Sequence, residues 1–263
     1  MSETFLENIL RVRRQKVEEQ KRATDLGRLR ENALFVRSTA KNFRFRNALS
    51  RNDSLNIIAE IKRASPSKGV INENIDLAET ALSYADGGAC AISVLTEETF
   101  FKGSLDDLRT VRKAVDLPIL RKDFIIDQFQ IYEAAAAGAD VILLIVAALT
   151  QENLKDFLRL AQTDLGMDAL VEVHTESELD IAARIDARVI GVNNRDLKTF
   201  DVSLDVSRRL AAGKPKGSVM IAESGIVSKE EMLELRSLGF DGFLVGETLM
   251  RSGDPKKVLE AWF

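Results

Sequence analysis

Residues 137–146, AGADVILLIV, decide the fold. Gly138 stands where a helix should stop, and from Val141 onward the chain runs apolar without alternation. That is the pattern of a parallel strand covered on both faces. The same entry recurs at 87–95 as GGACAISVL and at 238–246 as LGFDGFLVG, with IDARVIGVN at 185–193 as a degenerate version. Neighbouring entries begin about 50 residues apart, the length of two βα units, which marks an internal repeat.

Working outward, short β-rich runs lie at Ile57–Lys62, Ala91–Leu95, Ile119–Lys122, Val141–Ile145, Ala169–Val173, Val189–Asn193, Val219–Glu223 and Gly242–Val245. Roughly 20–30 residues separate successive runs, room for a helix and two loops. Eight such units fit an α/β protein of the (β/α)8 TIM barrel type better than a doubly wound sheet. Neither G-x-G-x-x-G after the first run nor G-x-x-x-x-G-K-[ST] occurs, which removes the common nucleotide-binding alternatives. Helix punctuation agrees. Ser228 with Glu231 and Thr175 with Glu178 make capping-box pairs. Asp127, Ser104 and Thr150 are N-cap candidates, and Gly88, Gly166 and Gly239 join Gly138 at expected helix ends.

Ahead of the first strand, from about Glu3 to Arg22, Phe5, Leu6, Ile9, Leu10 and Val12 form an apolar stripe against a charged face. This is helical patterning. Residues 24–54 carry no strand signal and read as short helix plus loop. The expected organisation is one barrel domain over residues 1–263, with about 1–48 as an N-terminal helical extension.

Composition narrows the function. A chain of 263 residues can bury roughly 75% of its unfolded surface, enough for a full core without staples. It is 45% apolar and 30% charged with a net charge of −4, the profile of an ordinary soluble protein. That balance offers no electrostatic footprint for nucleic acid or an anionic membrane. A single cysteine, Cys90, excludes an intramolecular disulfide, and a single histidine, His174, excludes zinc motifs built on repeated ligands. Cys90 enters a strand among small apolar residues and reads as packing. His174, just before Thr175, reads as a capping or surface residue, and Trp262 as an anchor for the last helix. The N-terminus lacks the apolar core and cleavage site of a signal peptide. The longest uncharged apolar run, Val141–Leu149, has nine residues, too few for a membrane span. A cytoplasmic protein is expected.

In a barrel the chemistry sits where the strands end. Here they end in Glu60 and Lys62, Lys122, Glu172, Asn193 and Arg195, and Glu223 with Ser224 and Gly225. Glu60 and Lys62 keep the strand's period of two, as do Glu172 and His174, so each pair points to one side. Taken singly, any of these charges could simply face solvent. Converging in one mouth, they would pair with one another and acquire the shifted pKa values of proton-transfer groups. Gly225 and Gly246 follow the last two strands, where phosphate-binding barrels present backbone N–H groups to an anion. Glu247 beside Gly246 would repel phosphate with its side chain, leaving its N–H as the plausible ligand. The loop ASPSKGVINEN after the first strand is long for a βα connection, and Lys68-Gly69 inside it suggests a mobile cover carrying positive charge.

Seven stretches together resemble the indole-3-glycerol-phosphate synthase family: IIAEIKRASPSKG (57–69), LRKDFIID (120–127), ADVILLIVAAL (139–149), LVEVHTESEL (170–179), IGVNNRDL (190–197), IAESGI (221–226) and FLVGETLM (243–250). AESGI alone is shared with other phosphate barrels. K-R-x-S-P-S, K-D-F and N-N-R-D-L in this order are specific. The resemblance runs from about residue 55 to 252 and takes in the charged N-terminal helix.

The resemblance implies closure of 1-(o-carboxyphenylamino)-1-deoxyribulose 5-phosphate to indole-3-glycerol phosphate, CO2 and water, with no cofactor and no metal. By the family's pattern Lys122 is the general acid, and Glu172 a base or a stabiliser of the cationic intermediate. Glu60 and Lys62 assist condensation and dehydration, Asn193 holds hydroxyls, and Glu223 belongs to the same network. Arg195 orients the carboxylate or the glutamates, with Ser224 at the substrate. Ser65, Gly225, Gly246 and Glu247 cradle the phosphate with Lys62, while Pro66, Phe124 and Leu143 contact the anthranilate ring. A lysine among cations would have a lowered pKa suited to acid catalysis. The partner is thus a small phosphosugar-anthranilate, and a tryptophan-pathway enzyme is a possible second one. The chain is expected to be free-standing rather than fused to another barrel. A Schiff-base aldolase using Lys62 or Lys122, a sugar-phosphate isomerase and a non-catalytic phosphosugar binder are the competing readings.

Overall fold

The computed structural model describes residues 3–50, 54–66 and 69–263. Eight strands form the barrel: β1 (Ile57–Ile61), β2 (Ala91–Leu95), β3 (Ile119–Lys122), β4 (Val141–Ile145), β5 (Asp168–Val173), β6 (Val189–Asn193), β7 (Val219–Glu223) and β8 (Gly242–Val245). Each pairs in parallel with its neighbours, and β8 closes onto β1 through Ile57–Phe243, Ile58–Leu244 and Ala59–Val245. The sequence reading of the strands holds except that Lys62 lies just past β1 and Asp168 joins β5.

The helices are α1 (Phe5–Ala23), α2 (Leu26–Thr39) and α3 (Arg44–Ala48) ahead of the barrel, then α4 (Leu77–Asp86), α5 (Leu105–Ala114), α6 (Gln128–Ala136), α7 (Gln151–Arg159), α8 (Glu176–Arg184), α9 (Asp205–Leu210), α10 (Lys229–Ser237), α11 (Glu247–Arg251) and α12 (Pro255–Glu260). Ser104, Asp127, Thr150, Thr175 and Ser228 each cap the following helix with a side-chain oxygen, satisfying amide groups that the helix leaves unpaired. The repeat is real in backbone terms. Gly88, Gly138 and Gly239 turn into their strands with φ of +96°, +89° and +103°, a conformation that costs other residues.

Two apolar clusters flank the strands. Inside the barrel lie Ile58, Leu120, Val141, Leu143, Leu170 and Ile221; outside, Ile57, Ile92, Ile142 and Val171 face the helices. Burial on both faces explains the unalternating runs. Cys90 is buried with the inner cluster and Trp262 with the outer one, as read. Phe45 and Leu49 join the inner cluster from α3 and its C-terminal edge. A side chain at Gly242 would meet Leu49 Cδ2 at 2.8 Å, so the chain passes close there. Arg46 holds Asp168 at the start of β5 through its N–H (3.0 Å) and its Nε (2.6 Å). The N-terminal end of the barrel is thereby plugged.

Residues 24–54 differ from the expected short helix plus loop, since most of 26–48 is helical. The inward residues of α2 are only Ala33 and Arg37. Arg37 donates to the carbonyls of Leu165 (2.9 Å) and Gly166 (3.1 Å), so an arginine occupies the core-facing position and hides the apolar period. α1 is a helix as expected, but its buried residues are Ile9, Leu10, Arg13 and Val17, so the inward face takes in Arg13, four residues past Ile9, rather than Val12. The helix spans loops at the C-terminal end of the barrel. Phe5 sets its ring edge-on to Phe100 and Phe200, Lys16 pairs with Glu98, and Lys21 reaches Asp127 at 2.8 Å. Among the described residues no helix is long and apolar enough to cross a membrane.

Candidate active site

Strand parity brings Glu60, Lys122, Glu172, Asn193 and Glu223 to the C-terminal mouth from five different strands. Lys122 is the hub. Its Nζ bonds the Glu223 carboxylate and lies 3.8 Å from Glu172 Oε2. Lys62 Nζ donates to Glu60 Oε1 at 2.6 Å. The glutamates Glu60, Glu172 and Glu223 are 5%, 2% and 0% exposed. Two glycines make room for them. A Cβ on Gly191 would collide with Glu223 Oε1, and one on Gly246 with Glu60 Oε1.

This packing sets the protonation states. Burial raises the Glu223 carboxyl, Lys122 opposes that, and the neighbouring Glu172 and Glu60 add to it, leaving a pKa pushed up to about 7. Burial also favours the neutral form of Glu60, but Lys62, Lys122 and Arg195 overcome it and hold the carboxyl below its ordinary value. For Lys122, burial disfavours the ammonium, yet Glu223, Glu172 and Glu60 outweigh it and hold the lysine above its ordinary value. The expectation of a lowered lysine is therefore corrected. Lys122 stands among anions, not cations, and is fully charged in the free protein.

Above this cluster opens a cavity of about 790 Å³. Of the catalytic, substrate-binding and phosphate-binding residues expected from sequence, all line it except Glu223, which is fully buried and meets the cavity through Lys122. Pro66, Phe124 and Leu143 form an apolar wall; Phe5, Phe101, Leu197 and Phe200 extend it. The Phe101 and Phe124 rings are 6.3 Å apart. No strand-end rule could find those four additions, because Phe5 comes from α1 and the others from loops. Ser224 (φ +66°) and Gly225 (φ +78°) turn the chain out of β7. A Cβ on Gly225 would collide with Val202, so glycine is required there. Glu247 opens α11, and its carboxylate accepts from Arg251 Nε at 3.1 Å, where the arginine offsets its charge. Ser65 and Pro66 sit in a small hairpin of Ala64–Ser65 with Gly69–Val70. Lys68, read as a cover lysine, lies outside the described residues.

Some supporting residues escaped the sequence reading. Asn193 Oδ1 accepts the Arg195 N–H at 3.0 Å, and Arg195 Nη1 donates to Phe200 O at 3.1 Å. Asn194 is the brace beside them. Its amide donates to the carbonyls of Glu223 (3.0 Å) and Ser224 (3.1 Å) and accepts from Ser207 Oγ (2.8 Å). Beneath Lys122, the Asp123 Oδ2 accepts from Arg13 (2.7 Å), Thr96 (2.7 Å) and Arg121 (3.1 Å). Burial works against the Asp123 carboxylate, but Arg13 and Arg121 keep it ionised with a lowered pKa. This network clamps α1 onto the residue next to Lys122.

Fold and site define a (β/α)8 barrel whose mouth gathers paired lysines and glutamates beside an apolar wall. Solved structures with this fold include a thiamine phosphate pyrophosphorylase from Pyrococcus furiosus. Its TM-score is 0.59 at 19% identity, covering 82% of this chain and 95% of that one. An N-acetylmannosamine-6-phosphate 2-epimerase from Clostridium perfringens gives 0.58 at 16% identity, covering 79% and 91%. At those identities they show the fold alone.

The sequence comparisons go further. The family model of indole-3-glycerol phosphate synthase matches residues 6–262. The indole-3-glycerol phosphate synthase of Carboxydothermus hydrogenoformans is 48% identical, over 97% of this chain and 98% of its own length. That of an Arthrobacter species is 46% identical, over 97% and 93%. The chain belongs to the indole-3-glycerol phosphate synthase family. Its activity is that family's decarboxylating ring closure in tryptophan biosynthesis.

Proposed function

We propose the following division of labour for that reaction. The anthranilate ring lies against Pro66, Phe124 and Leu143. The phosphate takes the Ser65, Gly225, Gly246 and Glu247 groups together with the Lys62 ammonium. Arg195 and Ser224 orient the substrate between them. In ring closure the carboxylate-bearing ring carbon attacks the ketone carbon, and the ketone oxygen takes a proton from Lys122. A charged lysine with a raised pKa is a weak acid at rest. It gives up its proton because the oxygen, as it becomes an alkoxide, is a far stronger base than the amine.

Glu172 faces the cation that builds on the ring and stabilises it electrostatically. Loss of CO2 then returns an electron pair to the ring. Dehydration follows, with Lys62 and Glu60 handling the leaving hydroxyl and Asn193 holding it. Glu223 keeps Lys122 aimed and charged. All the proton-transfer groups are side chains of the chain itself, so this scheme uses neither metal nor cofactor.

The observation that carries the reading is Lys122 set between Glu223 and Glu172 on the floor of a cavity with an apolar wall. A Schiff-base role suits it less, since imine formation starts from a neutral amine. The reading treats residues 1–263 as one barrel domain, with 1–48 its extension, acting in the cytoplasm on a diffusible substrate and open to a tryptophan-pathway partner. The test is indole fluorescence after adding the carboxyphenylamino-deoxyribulose phosphate to the purified protein. Signal growth with near-total loss in Lys122→Ala supports the donor assignment. Equal growth in both removes Lys122 from the role.

A further inference from the structure

The reaction consumes a proton, and the site must recover it. The substrate enters with a carboxylate and leaves as CO2, water and an uncharged indole ring. Ring closure places one proton on the ketone oxygen. Breaking the C–CO2 bond moves none. Dehydration puts a second on the departing hydroxyl and returns one from the adjacent ring carbon. Each turnover thus ends one proton short, with Lys122 and its carboxylates sealed beneath the substrate.

His174 lies on the far side of this cluster. It extends the inward parity of Glu172 by two residues, past the end of β5. Its Nε2 lies 3.5 Å from Glu172 Oε1 and makes no hydrogen bond among the described residues, although it is buried. Its Nδ1 lies 3.4 Å from Glu178 Oε2, and Glu178 also accepts the His174 backbone N–H at 2.6 Å. Neither His174 nor Glu178 lines the substrate cavity, yet their side chains are 14% and 19% exposed. The row Glu178–His174–Glu172–Lys122 therefore runs from solvent to the donor by a route that substrate does not block.

We propose that His174 is a positioning and proton-relay residue that recharges Lys122 through Glu172 from solvent outside the substrate cavity. The step is a proton transfer only: His174 Nε2–H to Glu172, Glu172 to the neutral Lys122 amine, and solvent or Glu178 back to the imidazole. The groups facing His174 are Glu172 and Glu223 from the barrel, Glu178 from α8 and Asp196 from the loop after β6. All are acidic. Burial lowers the imidazole, but Glu178, Glu172 and Glu223 more than compensate and raise it above its ordinary value. The inference rests on the roles proposed above for Lys122 and Glu172.

The test is steady-state kinetics of His174→Asn and His174→Gln across pH, with and without added imidazole. The relay predicts kcat lowered about tenfold with KM within about twofold, and recovery as imidazole replaces the missing carrier. It also predicts loss of the alkaline limb that His174 gives the wild type. Imidazole should leave the wild type unchanged. A kcat equal to wild type in both variants, or a lowered kcat that imidazole does not move at any pH, overturns the relay. Failure of the underlying activity is distinguishable, because the wild type itself would then form no indole product.

Discussion

At the N-terminal end of the barrel, Phe45 and Leu49 fill the opening with apolar atoms, and the buried acids there are met by arginines, Asp168 by Arg46 and Asp140 by Arg112. At the C-terminal end the same strands gather Glu60, Glu172 and Glu223 around Lys122 and Lys62, with Glu223 Oε1 left without a hydrogen bond among the described residues. One end is closed and satisfied. The other is crowded with like charge and open to a large cavity. The contrast teaches where each end's side chains should register: the bottom in stability, the mouth in rate.

Lys122→Met should break the mouth most severely, lowering kcat by about 10²–10⁴-fold, the usual worth of a positioned proton donor. Its unfolding midpoint should fall less than that of a bottom mutant, because the freed Glu223, already near its neutral form, takes up a proton. Phe45→Ala tests the other end. Truncating this fully buried ring should cost about 3–5 kcal/mol in denaturant titration, while kcat of the folded fraction stays within about twofold of wild type.

Arg13→Ala sits between the two classes. It strips one cation from a buried carboxylate that retains Arg121 and Thr96, so the loss should fall at or below about 3 kcal/mol. Because Asp123 adjoins Lys122, kcat should fall as well, which a purely structural pair would not cause. The smallest effect is a pH dependence. With its folded pKa raised from 4.5 to about 7, Glu223 contributes stability that is complete below its unfolded pKa. That contribution is lost as pH rises through the folded one. Wild type should therefore lose about 3 kcal/mol or less relative to Glu223→Gln between those values, read from denaturant midpoints at each pH.

Much of this contrast was legible in the residues. Unalternating apolar runs and recurring glycine entries identify the strands, and period two sets Glu60 with Lys62, and Glu172 with His174, on one side. What stayed hidden shares one physical cause, the burial of charge. α2 turns Arg37 rather than a leucine toward the core, so its periodicity is invisible. Nothing in the residue pattern marks Arg13, Arg121 and Asp123 as buried, because the partners that bury them arrive from α1, the loop after β2 and β3. The lysine's raised pKa depends on carboxylates from β1, β5 and β7, which become neighbours only when the barrel closes. The aromatic contribution of Phe5 likewise needs α1 laid across the mouth.

The most direct test of the mouth's design is to titrate Lys122 itself by NMR of side-chain-labelled lysine, its signal assigned by comparison with Lys122→Arg. Three surrounding carboxylates should keep the ammonium charged to at least about pH 10, the range of an ordinary lysine or beyond. A midpoint near neutrality would contradict the account. It would mean that burial, not the glutamates, governs this site, and that Lys122 rests as a free amine rather than a loaded proton donor.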